Sequence, residues 1–427
     1  MDIFILIGVF LGTLVLGVPV AICLGLSSLA YILVAGLPVV IIPQRMFAGM
    51  DVFVLLCIPG FILAGNLMNS GGITERIIRL ANALVGWMRG GLAMTNVATS
   101  MMFGGVSGTA VADVAATGGV LINGMKKSGY TAQFSAAITA ASSTVGPMIP
   151  PSVPMIIVGA LSGISVGQLF LAGAVPGVLM GVAMAIGCYL LAIKNDFPRQ
   201  KWQGFRELFT AFLGAFWALA MTGLILGGLL TGVATPTETA IVASAYAFIV
   251  GGFVYRELPM RKVPKIVINS AISSAGILAL VGFANVFGSI LASERIPQML
   301  VTAVLNITDN PILVILLINT LLLIVGMFME TIAALIILFV PLLGLATSVG
   351  IDPVHFATFA VLNLMIGLTT PPVGICLFVA ANIARVPLGG VIKAVFPFLL
   401  SNIIVLLMVS YYPPLATWLP TTLLGSN

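Results

Sequence analysis

At about 51–69, 170–192, 208–230, 239–255, 266–291 and 391–411 the chain runs on almost without a charge. A helix needs about 20 apolar residues to cross the hydrocarbon core, so each run is a candidate span. Most of this chain is thereby committed to lipid. Only 7% of its 427 residues are charged and 60% are hydrophobic, where a soluble domain carries about 25% charged residues. Mean hydropathy is +1.22. A soluble enzyme, a nucleic-acid binder, a secreted disulfide scaffold and a disordered chain are all excluded. The net charge of +5 matters only through where the basic residues sit relative to the membrane. Cys23, Cys57, Cys188 and Cys376 stand singly inside apolar runs, as small buried hydrophobes rather than metal ligands. Residues 3–36 form two short spans or one kinked at Gly17-Val18-Pro19. Met1-Asp2 runs straight into apolar sequence, so no signal peptide is expected.

Two further apolar regions are interrupted, and the interruption repeats. Residues 92–124 carry Phe103-Gly104-Gly105-Val106-Ser107-Gly108-Thr109-Ala110 at their centre, and 311–347 carry Gly326-Met327-Phe328-Met329-Glu330-Thr331. Each reads as a re-entrant hairpin with a polar tip. Behind each comes a segment broken near its middle: Ser142 to Ser152, with Pro150-Pro151, and Asn363 to Gly374, with Pro371-Pro372. Proline removes a backbone donor and blocks the preceding turn, so a Pro-Pro pair unwinds a helix. The halves align without gaps at an offset of 221 residues, bringing Gly105 onto Gly326, Gly129 onto Gly350, Gly146 onto Gly367 and Pro176 onto Pro397. Matched broken segments in an internal repeat are a transporter feature.

Basic residues give the orientation. With residues 37–50 placed outside, all the Lys and Arg except Arg45 and Arg295 fall on the cytoplasmic side, which fits an inverted repeat with both termini periplasmic. Non-helical backbone at membrane depth is costly unless protein, water or a ligand meets it. The side chains at the breaks are Ser107, Thr109, Ser142, Ser143, Thr144, Thr331, Asn363, Thr369 and Thr370. Hard oxygen donors of low charge suit sodium. Capping of broken helices is the competing reading, and it explains one break better than four matched ones. Asp113, one turn past Thr109, is an intramembrane acid and is expected near an ion site. Glu330 sits at the second tip, facing either ion or solvent. Glu238 in Thr235-Pro236-Thr237-Glu238 and Asp352 before Pro353 read as helix caps. No basic residue lies in a break, so an anionic substrate must be held by amides, hydroxyls and Asn.

The motifs Gly232-Val-Ala-Thr-Pro-Thr-Glu238, Gly326-Met-Phe-Met-Glu-Thr331, Gly350-Ile-Asp-Pro-Val-His-Phe356, Asn363 to Gly374 and Gly105-Val-Ser-Gly-Thr-Ala-Val-Ala-Asp113 cover the chain in order. They resemble the large membrane subunit of tripartite ATP-independent periplasmic (TRAP) transporters. Glu330 stands where many members have Asp, and Thr239 where many have Ala; neither removes a ligand type. The resemblance implies an all-α polytopic membrane protein of two inverted repeats, an elevator similar to the ion-transporter superfamily. It divides the chain into scaffold helices 1–73, an amphipathic arm 74–90, a first transport half 91–192, a cytoplasmic linker 193–207, scaffold helices 208–293, an arm 294–310, a second transport half 311–411 and a periplasmic tail 412–427. The first half holds hairpin 91–125, broken helix 131–166 and helix 170–192; the second holds hairpin 311–347, broken helix 353–386 and helix 391–411.

By matching position, the resemblance places one sodium site at Ser107, Gly108, Thr109, Asp113, Ser142, Ser143, Gly146 and Pro147. A second falls at Gly326, Met329, Glu330, Thr331, Asn363, Gly367 and Thr370, and substrate at Ser107, Thr109, Pro150, Thr331, Thr369 and Pro371. It further implies sodium as coupling ion with no other cofactor, a small four-helix membrane subunit, a periplasmic substrate-binding protein, and import of an organic acid anion across a bacterial inner membrane. C4-dicarboxylates, sialic acids, other sugar acids and keto acids remain open, with a lean to the sialic-acid branch. A stand-alone sodium symporter is the rival reading. An intramembrane hydrolase would need a Ser-His pair or two membrane aspartates, and only Asp113 lies within a span. Cysteines introduced at 126–127 and 256–265 are expected to label from the cytoplasm only; labelling from outside would overturn the orientation.

Overall fold

A computed structural model of the chain describes residues 2–425, apart from the side chains at 2 and 105–107. Among the described residues every regular element is helical. The region 3–36 is a pair, α1 (Asp2–Val15) and α2 (Val20–Val34), packed on each other. Gly17 turns the chain between them at φ +78°, a conformation that costs glycine nothing. Then come α3 (Ile41–Met50), α4 (Cys57–Ser70) and α5 (Ile73–Val85). The first hairpin is α6 (Gly91–Ser107) and α7 (Ala110–Lys127). The first broken segment is α8 (Ala132–Ser143), a short 3-10 turn Gly146–Met148, and α9 (Val153–Ser162). It is bent by 42°. α10 (Val166–Lys194) closes this half.

α11 (Phe205–Leu230), α12 (Pro236–Ile249) and α13 (Val263–Ser293) follow, then α14 (Ile296–Leu305). The second hairpin is α15 (Pro311–Phe328) and α16 (Thr331–Ser348). The second broken segment is α17 (Pro353–Gly367) and α18 (Ile375–Ala384), followed by α19 (Leu388–Tyr411). Eight of the described helical segments are long and apolar enough to cross a membrane, and α8 with α9 makes a ninth candidate. The helices repeat at the same offset of 221 as the motifs: α7 and α16 correspond at both ends, and α5 with α14, α9 with α18 and α10 with α19 begin within two residues of correspondence. Among the departures, α13 runs unbroken where its counterpart is divided into α3 and α4, and α20 (Pro414–Leu424) has no helical counterpart. The Pro150–Pro151 and Pro371–Pro372 bonds are both cis.

Three boundaries differ from the sequence expectation. Residues 412–427 are not a plain tail: α20 (Pro414–Leu424) packs against α10 and α17, because Ala416 and Pro420 find an apolar surface there. The 170–192 run is part of a longer helix whose first residue is Val166. The second break begins later than Asn363, since α17 continues through Gly367. Glu238 and Asp352 do cap their helices. Thr235 and Glu238 form a reciprocal capping box at α12, and Asp352 accepts from His355 N at 2.8 Å.

Hairpins and broken helices cross at glycine. A methyl group on Gly367 would stand 2.6 Å from Gly326 Cα, and one on Gly104 would stand 2.5 Å from Gly146 Cα. Side chains are excluded from both crossings, so backbone lies on backbone. Two arms flank these crossings, and they are held unequally. α5 buries Ile73, Ile77 and Leu80 and is tied by Arg76 to Glu257 at 2.7 Å and by Arg79 to Glu207 at 2.6 Å. The Arg76 guanidinium also lies 4.0 Å over the Tyr255 ring and holds the Glu257 carboxyl below its ordinary range. α14 has no buried residue, and its start is tethered by a Tyr31–Glu294 hydrogen bond. Gly367→Ala is expected to overpack the second crossing and cost about 1–3 kcal/mol, seen as a lower thermal midpoint in detergent; an unchanged midpoint would mean that the crossing is loose.

Candidate functional site

Each hairpin tip is stitched to the chain just beyond a Pro-Pro pair. Val153 N donates to Gly108 O at 3.4 Å in the first half, and Gly374 N donates to Met327 O at 3.5 Å in the second. The tips reverse where helical hydrogen bonding must stop, at Gly108 with φ +64° and at Met329-Glu330 with extended backbone. Glu330 caps α16 by accepting from Ile332 N at 2.9 Å and Ala333 N at 3.3 Å.

Behind the first tip a chain of side-chain hydrogen bonds joins α6 to α8. Asn96 Nδ2 donates to Thr139 Oγ1 at 2.6 Å, Ser142 Oγ donates to Asn96 Oδ1 at 3.0 Å, and Ser100 Oγ donates to Ser142 Oγ at 3.1 Å. All four residues are fully buried. Beside them lies the Asp113 carboxylate. A methyl group on Gly146 would stand 3.5 Å from its Oδ2. Asp113 is fully buried, the hydroxyls of Ser100 and Thr117 stand near it, and neither carboxylate oxygen makes a hydrogen bond of ordinary geometry. Thr99 Oγ1 is likewise buried without a partner. A buried polar group left unpaired costs about 1–3 kcal/mol, more when charged, so these oxygens call for a ligand.

The second break is built from amides. Asn363 Nδ2 donates to both Asn319 O at 2.9 Å and Asn319 Oδ1 at 2.8 Å. Asn319 Nδ2 in turn donates to Ser410 Oγ at 2.9 Å. Asn363 is fully buried, and its Oδ1 has no partner. It is the repeat counterpart of Ser142, so both breaks present a buried side-chain oxygen at the same position. Thr331 Oγ1 donates to Leu364 O at 3.4 Å, while Thr369 and Thr370 donate to Ile366 O at 3.0 and 2.9 Å. These hydroxyls therefore also serve the helix end, as the capping reading expects. Among the described residues no group of three His, Cys, Asp or Glu side chains gathers.

A cavity of about 570 Å³ lies where both tips meet α4 and α13. Thr109 and Glu330 reach it from the tips, Asn66 and Asn69 from α4, and Ser273 from α13; most of the remaining wall is apolar. Of the expected substrate residues only Thr109 is on this wall. Pro150, Thr331 and Thr369 are buried, and Pro371 is not among the residues that line it. With the hairpins crossing the breaks at glycine, several residues of the breaks face inward to the hairpin. The side chain of Ser107 lies outside the described residues.

Residues 7–415 match the family model described as "Tripartite ATP-independent periplasmic transporter, DctM component". The chain belongs to this family. It is 41% identical over 97% of its length, and 98% of the other, to the sialic acid TRAP transporter large permease protein SiaM of Vibrio cholerae. It is 37% identical to the C4-dicarboxylate TRAP transporter large permease protein DctM of the same organism, over 97% and 96% of the two chains. It is 40% identical to the isethionate TRAP transporter permease protein DctMQ of Oleidesulfovibrio alaskensis, covering 96% of this chain and 65% of that one. In fold it is similar to the YdaH transporter of Alcanivorax borkumensis, with a TM-score of 0.63, 15% identity and 88% of each chain covered. The protein is thus a multi-pass inner-membrane transporter subunit and not an enzyme.

Sequence reading missed Asn96, Ser100, Asn319, Asn66, Asn69 and Ser273. A signal was present for the asparagines, because an amide inside an apolar run must find a partner or a ligand. Asn319→Ala is expected to remove the hydrogen bonds of its side chain to Asn363 and Ser410 while keeping the one from Asn363 Nδ2 to the backbone carbonyl. The cost is about 1–3 kcal/mol, read as a lower unfolding midpoint; no shift would mean that water replaces the lost amide.

Proposed function

We propose that this DctM component is the permease of a sodium-coupled importer of organic acid anions, moving substrate by an elevator motion of the two hairpins and broken helices past α4 and α13. The observation that carries the reading is the pair of glycine crossings, with a buried oxygen in each half that has no hydrogen bond of ordinary geometry, Asp113 in one and Asn363 Oδ1 in the other. Sodium meets such oxygens with little formal charge to neutralise. One site takes Gly108, Thr109, Asp113 and the Ser142–Pro147 break, with Ser107; the other takes Gly326, Met329 to Thr331, Asn363, Gly367 and Thr370. A small membrane subunit and a periplasmic binding protein complete the assembly, and both termini are periplasmic.

The substrate is held in the 570 Å³ cavity. No Lys, Arg or His lines it. Amides, hydroxyls and bound sodium must then offset an anion's charge, which makes substrate affinity depend on sodium. Relatives named for sialic acid, isethionate and C4-dicarboxylates share an anionic group, and the amide-lined wall suits that common feature. The cavity faces the cytoplasm: the chain joins its α4 wall, through Ser70, to the arm that carries Arg76 and Arg79.

The test is uptake into proteoliposomes holding the chain with its small membrane subunit, with labelled sialic acid, isethionate and succinate tried with and without the binding protein. Uptake that needs an inward sodium gradient and the binding protein is expected. Uptake with sodium alone would make this a stand-alone symporter, and uptake without sodium would overturn the coupling. Asp113→Asn, Asn363→Ala and Ser107→Ala should each raise the sodium concentration for half-maximal uptake, by about tenfold for each 1.4 kcal/mol of ligand interaction lost. Unchanged sodium dependence in all three would sink the site assignment.

A further inference from the structure

The wall that α4 and α13 give to the cavity differs in chemistry from the wall that the repeat would put in its place. Asn66, Asn69 and Ser273 are its polar side chains. Their counterparts at the 221-residue offset are Phe287, Ile290 and Val52, which have no hydrogen-bonding group. Phe287 instead packs on Phe10, ring centroids 5.5 Å apart. A second cavity of about 400 Å³ lies on that other side, between α3, the 281–292 stretch of α13, α9 and α16. Its Asn285 and Ser289 are not the missing mates. They correspond to Ala64 and Met68, both buried; Ser289 spends its hydroxyl on Val286 O at 2.7 Å, and Asn285 packs against Gly49.

We propose that Asn66, Asn69 and Ser273 form a one-sided polar subsite for the transported anion, engaged only while the hairpin tips face the 570 Å³ cavity. Their hydrogen-bonding capacity fits that use. Asn66 Nδ2 donates to Ser270 Oγ at 2.8 Å, leaving one amide hydrogen and its Oδ1. Asn69 Oδ1 accepts from Thr74 Oγ1 at 2.7 Å, leaving an amide group with two donors. Ser273 keeps its hydroxyl. Donors of this kind suit carboxylate and hydroxyl oxygens, and the pocket is otherwise mostly apolar. On the opposite side only Val52 of these counterparts lines the cavity, while Phe287 and Ile290 are buried, so the anion finds no donor at the three matching positions there.

The consequence is kinetic. A group that touches the substrate in one of two states stabilises that state's complex alone. The accumulation ratio is set by coupling to sodium, so the subsite cannot change the final gradient. It sets how tightly the cytoplasm-facing form holds the anion, and therefore how strongly accumulated anion restrains further uptake. This inference rests on the transport reading above, and it assigns these three residues a role that the sodium sites do not have.

The experiment uses right-side-out transport, selected by adding the binding protein outside only. The probe is whichever of sialic acid, isethionate and succinate the wild-type protein carries. Unlabelled anion is loaded into the lumen, and the concentration that halves initial sodium-driven uptake is measured beside the half-saturation concentration outside. Asn66→Leu, Asn69→Leu and Ser273→Ala should each raise the lumenal value by about threefold to tenfold, the loss of about one hydrogen bond. The outside value should stay within about twofold and the final accumulation should not change. Ser273→Ala removes an exposed hydroxyl and is the variant least able to disturb folding. Equal shifts on both faces, or no lumenal shift in all three, would overturn the subsite. A wild-type protein that carries none of the three anions would instead overturn the transport reading.

Discussion

A polypeptide in hydrocarbon must satisfy every backbone amide and carbonyl from within the protein, and this constraint orders the rest of the structure. The chain breaks four helices at membrane depth and has to shelter the exposed backbone. It does so by crossing hairpin on break where neither carries a side chain. At Gly367 and Gly326, and at Gly146 and Gly104, backbone approaches backbone closely enough that even a methyl group would collide. The tips can then hydrogen-bond the residues beyond the Pro-Pro pairs. Without those glycines the breaks would stand open to lipid, and without the breaks there would be no polar oxygens to offer.

The same constraint explains why polar side chains inside the molecule are so few and so connected. Asn96, Thr139, Ser142 and Ser100 pass hydrogen bonds from α8 to α6, and Asn363, Asn319 and Ser410 pass them from α17 through α15 to α19. A buried network is favourable only when its members are paired. These two are paired throughout except at the oxygens beside the glycine crossings. Each half thus leaves a buried oxygen unpaired, but at positions the repeat does not match: the Asp113 carboxylate in the first, whose counterpart is Ala334, and the Asn363 amide carbonyl in the second, whose counterpart Ser142 is hydrogen-bonded. The walls outside the hairpins depart from the repeat too. Arm α5 is clamped by two ion pairs and a buried face, while α14 packs on α16 through partly buried Leu300, Val301 and Val304 and is tethered at its start by Tyr31 and Glu294, so the two matching arms differ in how firmly they are held.

Much of this was legible in the chain. Apolar runs located the long helices, and the paired interruptions located both hairpins and both breaks. The breakers matched at 221 residues because proline and glycine act locally: each dictates backbone geometry at its own position whatever surrounds it. The caps at Glu238 and Asp352 were legible for the same reason. Less local features were misread. Asn363 was taken for the start of a break, yet α17 continues to Gly367, because the helix end is decided by the glycine crossing. The terminal helix α20 gave no sign of itself, since its stability comes from the surface of α10 rather than from its own residues.

The sequence by itself determined the solvent of this protein, its helical class, its internal repeat and the residue types at each break. These follow from hydropathy and from backbone chemistry, which act within a few residues. Only the tertiary structure decided which polar groups would be left unpaired, and which would share a cavity. Asp113 comes beside Gly146, Asn363 finds Asn319, and Asn66 and Ser273 face the same space from helices some two hundred residues apart. Pairing is a property of neighbours in space, and a chain that folds back on itself as two crossed repeats keeps that information out of its linear order.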